Sequence, residues 1–330
     1  MTWLVTGGAG YIGQHVVRAM LADGHRLVVL DDLSTGDADL LPNGVPLVQG
    51  DVCREDDLDK AFEADDIRGV MHLAGLKAAD ESVLAPLDYY RTNVTGTVAL
   101  LSAMLRHGAR AMVFSSSCSV YGNVSDSRPV DERHSTEPVS PYGRSKLMAE
   151  EAIADAAAAY GLRAICLRYF NVAGAGSPEL GDRGAGNLIP LAIRAIVGGE
   201  APVVFGDDYP TPDGTCIRDY IDVRDLADAH AVAARSVVTS GRGQEGCSIY
   251  NLGTGTGSSV LDVIHSLASA AGVHVQPDVA PRRPGDPAAI FANPAAVFEE
   301  LGWQASHTLD ETLASAWNAR GVHGVRNPST

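Results

Sequence analysis

Tyr142 and Lys146 stand four residues apart in Pro141-Tyr142-Gly143-Arg144-Ser145-Lys146. Pro141 suits the first position of a helix, and the i, i+4 spacing then places both side chains on one face, about 5–6 Å apart at Cβ. A tyrosine titrates near 10 in water, and a fixed ammonium beside it favours the phenolate. Such a pair makes a general base near neutral pH. Lysine suits the task better than arginine, because its charge is compact and its donors rotate. The composition sharpens the point: the 330 residues include 25 Lys+Arg, yet only three are lysines, Lys60, Lys77 and Lys146.

A second chemical feature lies at the amino end. The apolar run Trp3–Thr6 leads directly into Gly7-Gly8-Ala9-Gly10-Tyr11-Ile12-Gly13. Glycines at this spacing permit a tight turn and close approach of the backbone to a pyrophosphate, and the helix that follows offers unpaired N–H groups to an anion. Asp31-Asp32 follow 18 residues past Gly13. A carboxylate there accepts from both ribose hydroxyls and repels a 2′-phosphate, so the expected cofactor is NAD rather than NADP. Asp51-Val52 ends the third strand-like run, a second place for a carboxylate to meet the adenine end. Ser115-Ser116-Ser117 closes a further core run, where a serine can hydrogen-bond a substrate hydroxyl and the reactive tyrosine. The later run Gly253–Gly257 lacks an acid at the right distance and reads as a structural turn, with Ser258 or Ser259 capping the next helix.

These groups need a scaffold, and the first 170 residues supply one. Trp3–Thr6, Leu27–Leu30, Leu47–Val48, Val70–Leu73, Ala111–Ser115 and Ala164–Leu167 read as strands, separated by amphipathic stretches at 12–22, 55–64, 92–107 and 143–160. The strands are continuously apolar, as burial on both faces requires. The expected fold is α/β: a doubly wound, Rossmann-like parallel sheet over residues 1–172, with a smaller α/β substrate-binding lobe over 173–330. The second part reads as a glycine-rich loop (Gly174–Gly186), helices at 187–197 and 219–240, a proline-bearing stretch at 201–218, a strand at Ser248–Leu252, one tail helix at 259–270 and a Pro/Arg loop at 281–287. Elements near 219–252 are expected to cross back to the sheet.

Composition excludes other classes. A net charge of −16 (25 against 41 acidic residues) argues against nucleic acid and anionic membrane as partners. No apolar run reaches the roughly 18 residues of a membrane span, and there is no room for a signal peptide before Trp3. Five cysteines without a C-x-x-C read as reduced thiols in a cytoplasmic protein, with no metal site.

The motifs together resemble the extended short-chain dehydrogenase/reductase family, and within it the UDP-glucose 4-epimerases, over essentially the whole chain. Besides the glycine turn, Ser115-Ser116-Ser117-x-x-Val120-Tyr121-Gly122 and the Tyr142/Lys146 motif, the resemblance is carried by Ala74-Gly75-Leu76-Lys77 and Tyr89-Tyr90-x-x-Asn93-Val94-x-Gly96. It continues in Arg168-Tyr169-Phe170-Asn171, Arg218-Asp219-Tyr220-Ile221-x-Val223 and Pro281-Arg282-Arg283-Pro284-Gly285-Asp286. It implies reversible epimerisation of UDP-galactose and UDP-glucose at C4 through a 4-keto sugar, with tightly bound NAD as transient hydride acceptor. Tyr142 would take the 4-hydroxyl proton, Lys146 would bond the nicotinamide ribose and lower the tyrosine pKa, and Ser117 would bridge the 4-oxygen and the phenol.

The same resemblance assigns the cofactor to Gly7, Gly10, Tyr11, Ile12, Gly13, Asp31, Asp32, Leu33, Ser34, Thr35, Gly36, Asp51, Val52, Leu73, Ala74, Gly75, Lys77, Asn93, Ser115, Tyr142, Lys146 and Phe170. It assigns the UDP-hexose to Lys77, Ser117, Tyr142, Asn171, Asn187, Leu188, Val203, Val204, Phe205, Arg218, Arg283, Asp286 and Ile290, with the two arginines on the diphosphate. Dehydratase relatives carry Asp-Glu where Cys118-Ser119 stand here, and decarboxylase relatives keep a glutamate. The absence of both acids favours simple epimerisation over these alternatives. Ile290 stands where some epimerases have a tyrosine, and the smaller side chain leaves room for the 2-N-acetyl group of UDP-N-acetylhexosamines. Helices 92–107 and 143–160 carry small residues (Ala149, Ala152, Ala156), and the corresponding pair forms a homodimer in the family.

Overall fold

Strand β1 (Thr2–Thr6) is buried along its whole length, as are the last five residues of β2 (Arg26–Asp31) and all of β5 (Ala111–Ser115). Chains this apolar on both faces can only lie in the middle of a covered sheet. The computed structural model describes residues 1–124, 128–184, 186–239, 246–283 and 286–320. In it these strands join β3 (Leu47–Gln49), β4 (Ile67–His72), β6 (Arg163–Tyr169) and β10 (Gly246–Leu252) in a seven-stranded parallel sheet of order β10-β6-β5-β4-β1-β2-β3. The order reverses between β1 and β4, and in open sheets of this kind ligands bind beyond the carboxyl ends of strands at that point.

Helices cover both faces. On one side α1 (Tyr11–Ala22) and α8 (Val223–Thr239) bury Val16, Val17, Met20, Leu226, Ala233 and Val237 against Trp3, Val5 and Val29. On the other, α2 (Glu55–Glu63), α5 (Gly96–His107) and α6 (Pro141–Tyr160) bury Leu58, Leu100, Met104, Ala149, Ile153 and Ala156 against Leu4, Val70 and Met112. The α6 stripe that packs also carries Tyr142 and Lys146, so the core fixes the direction of both side chains. Ala149 and Ala156, read from sequence as an outward small-residue face, are buried within the chain.

The remaining elements form smaller sheets. β9 (Ile217–Asp222) pairs with β7 (Asn171–Ala173), β11 (Gly257–Ser259) and β13 (Ala289–Ile290), while β8 (Val203–Phe205) pairs with β12 (Asp278–Ala280). Here the structure corrects the sequence reading. Residues 219–222 are strand, not the start of a helix, because Asp219 and Asp222 are buried acids with hydrogen-bond partners rather than a solvated helix face. Asp219 accepts from the backbone N–H groups of Thr254, Gly255 and Ala292, so the run Gly253–Gly257 wraps a carboxylate. Ser240 and the motif residues Pro284 and Gly285 lie outside the described residues.

Residues 90–95 form a π-helical turn, and regular α5 begins only at Gly96. Among the described residues the tail holds three helices, not one. Besides α9 (Val260–Ala271), the short α10 (Ala295–Leu301) follows Pro294, and α11 (Leu309–Asn318) is opened by a Thr308/Glu311 capping box. Two short helices, α3 (Ala79–Leu84) and α4 (Pro86–Tyr89), also went unread, and α7 (Leu188–Gly198) matches its expectation within a residue. No helix among the described residues is long and apolar enough to cross a membrane.

Candidate active site

The glycine turn at the end of β1 is sterically closed beneath and open above. Gly7 lies at φ 73, and a Cβ on it would meet Ala74 N at 2.7 Å. A Cβ on Gly13 would stand 2.1 Å from Gly7 O, while one on Gly10 would have only Gly7 O, at 3.4 Å. No side chain caps α1 and no acid stands in its first turn, so the N–H groups of Tyr11, Ile12 and Gly13 face an anion-ready end. The Tyr11 hydroxyl donates to Gly174 O at 2.7 Å, tying this turn to the second lobe. A cradle that a methyl would fill, backed by an uncapped helix end, fits a dinucleotide pyrophosphate.

Asp31 closes β2 and organises the loop beyond it. Its carboxylate accepts from Ala9 N and Leu33 N, both at 2.9 Å, and burial raises its pKa against those bonds. Asp32, exposed, accepts from Ser34 N and Oγ. The two caps hold Leu33 at φ 61, the single positive value on a non-glycine among the described residues. Gly36 packs against Ala9 and Asp31, and Thr35 is exposed. Next to them, the Asp51 carboxylate accepts from Cys53 N at 2.8 Å, and Val52 is buried against Gly96.

Beyond β4, Leu73, Ala74, Gly75 and exposed Lys77 form a loop held by Asn93. Asn93 Oδ1 accepts from Leu76 N at 2.8 Å, and its amide donates to Leu76 O and to Ser145 Oγ. Its side chain therefore shapes the loop instead of pointing freely to a ligand. Lys146 Nζ donates to Ser115 O at 2.9 Å and lies 4.9 Å from the centroid of the Phe114 ring. Burial lowers Lys146 to about 8, against the pull of Glu150. Tyr142 is buried; desolvation drives its phenol above 10, and the hydroxyl of Ser117 opposes that shift. Lys146 is bonded to Ser115 in this dry site, and among the protein groups burial raises the phenol against the Ser117 hydroxyl. The Ser115 hydroxyl turns the other way, to His230 Nε2 at 2.8 Å, since Nδ1 donates to Leu226 O.

The second lobe gathers several of its expected residues. Ile290 pairs with Arg218 in the β13–β9 register, and Arg218 Nη2 lies 3.5 Å from Asp286 Oδ1. The Arg283 guanidinium stacks 3.9 Å from the Phe205 ring centroid. Ile290 and Phe170 share a buried cluster with Val120 and Tyr121, which joins the lobe to the Ser117 loop. Val204 is buried, Val203 is 41% exposed, and Asn171 is exposed at the start of β7. Asn187, at the cap of α7, donates to Asp182, and Leu188 packs near Tyr220, the residue two past Arg218.

Sequence reasoning missed Glu150, Tyr121 and His230. Glu150 carried a signal, as an acid four residues after Lys146 on the buried stripe of an alanine-rich helix. His230 carried none, lying 115 residues from the serine it meets.

The family profile of NAD dependent epimerases and dehydratases matches residues 3–253. The chain belongs to that family. An epimerase/dehydratase-family relative, the UDP-glucose 4-epimerase of Azospirillum brasilense, is 46% identical over 318 residues, 95% of this chain and 90% of that one. The UDP-glucose 4-epimerase of Brucella ovis, solved in complex with NAD, superposes with a TM-score of 0.91 at 41% identity, covering 97% of this chain and 98% of that one. The enzyme of Bifidobacterium longum, solved with NAD+ and UDP, gives 0.88 at 38% identity with the same coverage.

Proposed function

We propose that this chain interconverts UDP-galactose and UDP-glucose by reversible epimerisation at C4 through a 4-keto intermediate. The observation that carries the reading is the convergence of Ser117, Tyr142 and Lys146 where β5 and α6 meet, beside the glycine cradle, with no acid at 118 or 119. NAD, when bound, supplies a positively charged hydride acceptor. The protein's part is to hold the proton and the geometry. Tyr142 takes the 4-hydroxyl proton and returns it to the same oxygen, so the site needs no route for protons to water, and its burial suits that closed exchange. Ser117 bridges phenol and sugar oxygen, and Lys146 keeps a cation on the Tyr142 face of α6.

The sugar must turn while its diphosphate stays fixed. Arg218 and Arg283 serve the diphosphate, with Val203, Val204, Phe205, Asn187 and Leu188 around the nucleotide, Asp286 at its ribose, and Asn171 and Lys77 at the sugar. Residues 1–172 serve as the NAD domain, with α8 and β10 crossing back to its sheet, and the rest of 173–330 serves as the nucleotide-sugar lobe. The glycine cradle, Asp31-Asp32-Leu33-Ser34-Thr35-Gly36, Asp51 and Val52 hold the cofactor. We assign the protein to the cytoplasm, on its five free thiols, and to a homodimer. The dimer reading is supported by the exposed apolar residues Val83, Leu84, Leu87, Val98 and Met148 on α3, α4, α5 and α6.

The test uses no added cofactor. Denatured protein should release NAD, and native protein given UDP-galactose should yield UDP-glucose without net NADH. A 4-keto-6-deoxy product or carbon dioxide would overturn the reading in favour of the dehydratase or decarboxylase. Tyr142→Phe should keep bound NAD and lose at least about 10²–10⁴-fold in turnover.

A further inference from the structure

We propose that the buried Glu150–Arg168 ion pair is a positioning device that fixes the Ser115–Tyr121 segment against the Tyr142/Lys146 face of α6. The proposal rests on the reading of Ser117, Tyr142 and Lys146 as the reacting groups.

Ser117 has few tethers of its own. Besides the Tyr142 phenol it faces, its hydroxyl meets only Ser119 N at 3.2 Å and Ser119 Oγ at 3.1 Å, both within the same loop. Its place opposite Tyr142 is therefore set by its neighbours. Ser115 O accepts from Lys146 Nζ, and the Ser116 hydroxyl donates to Glu150 Oε1, one helical turn further along α6. Arg168 grips the same carboxylate through Nε at 2.9 Å and Nη2 at 2.6 Å, and its Nη1 donates to the Tyr121 hydroxyl at 3.0 Å. Tyr121 donates onward to Asn251 Oδ1 at 2.7 Å, and the Asn251 amide ends on Val130 O. The loop is thus anchored at the two residues before Ser117 and at the residue four beyond it.

Stability alone does not account for this arrangement. The Glu150 and Arg168 side chains are 3% and 4% exposed. A buried pair is often no more stabilising than apolar residues of the same volume, because desolvation of both charges offsets their attraction. What apolar residues lack is direction. A bidentate guanidinium with a third donor left for Tyr121 fixes two elements to one helix at defined angles. The carboxylate also faces Lys146. The other titratable groups around that ammonium are Tyr142 on α6 itself, Cys166 on β6 and His72 on β4, all neutral in their buried settings, and Arg168 stands beyond Glu150. Glu150 is therefore the anion that keeps the Lys146 charge in place.

The experiment compares Glu150→Gln and the double variant Glu150→Gln/Arg168→Met as NAD-loaded enzyme, with turnover normalised to folded protein. Glu150→Gln should lose about ten- to a hundredfold in kcat, with KM for UDP-galactose within about threefold of the parent. The alkaline limb of its pH profile should move to lower pH, as the lysine loses its anion. The double variant, freed of the uncompensated arginine, should recover melting temperature but not kcat, because the Arg168 grip on Tyr121 is gone and Lys146 still lacks its anion. A purely structural pair would lower the melting temperature and leave normalised kcat and the pH profile unchanged. Normalised kcat within about twofold of the parent in the double variant overturns the proposal, even where Glu150→Gln alone does not fold. Should the parent enzyme not epimerise UDP-galactose, the proposed function fails by itself. The tyrosinate absorbance titration, parent minus Tyr142→Phe, then decides: a Tyr142 titration unmoved by the double substitution overturns the positioning role.

Discussion

Gly13→Ala tests whether the β1–α1 turn is a cofactor cradle or only a tight turn. The new Cβ would lie 2.1 Å from Gly7 O, 2.7 Å from Gly8 Cα and 2.9 Å from Gly8 C. Ordinary contact begins at 3.4 Å, so Gly7 O must retreat by 3.4 − 2.1 = 1.3 Å, and the atoms in the way are backbone. Alanine gains at most about 1 kcal/mol in helix propensity, while overpacking costs about 1–3 kcal/mol even where side chains can yield, so against unyielding backbone the melting temperature falls. The cofactor loses more, because a turn moved by that distance no longer aims its N–H groups. Each charge-assisted hydrogen bond lost removes about 1.5–3 kcal/mol, or roughly ten- to a hundredfold in affinity.

Gly10→Ala supplies the control. Its Cβ would touch only Gly7 O, at an ordinary 3.4 Å, and its φ of −75° suits alanine. That variant should melt like the parent and yet lose NAD, since the methyl projects into the open side of the cradle. The assays are NAD per chain released on denaturation and melting followed by circular dichroism. A Gly10→Ala protein that keeps stoichiometric NAD, or a Gly13→Ala protein that keeps both NAD and melting temperature, would refute the assignment of this turn to the pyrophosphate.

Other predictions concern pH, substrate choice and capping. His72 and His230 are buried and pushed down from 6.5 to about 3 and about 4, each bonded as a neutral ring. The unfolded chain takes up these protons near 6.5 while the folded chain resists, so stability should fall as pH drops below about 6.5, by about 1.4 kcal/mol per unit for each ring. Urea unfolding at pH 7 and 5.5 measures this, and a flat profile refutes it. Ile290→Tyr should lower the rate on UDP-N-acetylgalactosamine more than on UDP-galactose, and an unchanged ratio of the two kcat/KM values would show that Ile290 does not set sugar size. Ser259→Ala removes one arm of the α9 capping box with Asp262 and should destabilise by about 1 kcal/mol; an unchanged denaturation midpoint would show that the cap is idle.

The order of elements in residues 1–172 was legible because each strand is short, apolar and bounded, and because the chemistry sits on motifs contiguous in sequence. The glycine turn, Asp31 and the Tyr142/Lys146 spacing could be read without any contact between them. The second lobe was less legible. β7, β8, β11, β12 and β13 are two or three residues long, too short for a period to show, and exist only because they pair with β9 or with each other. Asp219 and Asp222 fell within a stretch read as helix, whereas the loop around the first and Arg224 beside the second hold them buried and bonded in β9. The Thr308/Glu311 cap was a readable signal that went unused.

Sequence by itself determined the fold class, the glycine turn after β1 and the shared helix face of Tyr142 and Lys146, because local spacing dictates which side chains share a helix face or a turn. Tertiary structure alone decided the electrostatic setting of those groups. The phenol of Tyr142 is raised by burial, Lys146 is bonded to Ser115, and Glu150, Arg168 and His230 meet the serine strand from 34 to 115 residues away, as bonds from Ser116, Tyr121 and Ser115 record. Desolvation and hydrogen bonding depend on what lies across a few ångströms of packed interior, and sequence distance carries no record of that.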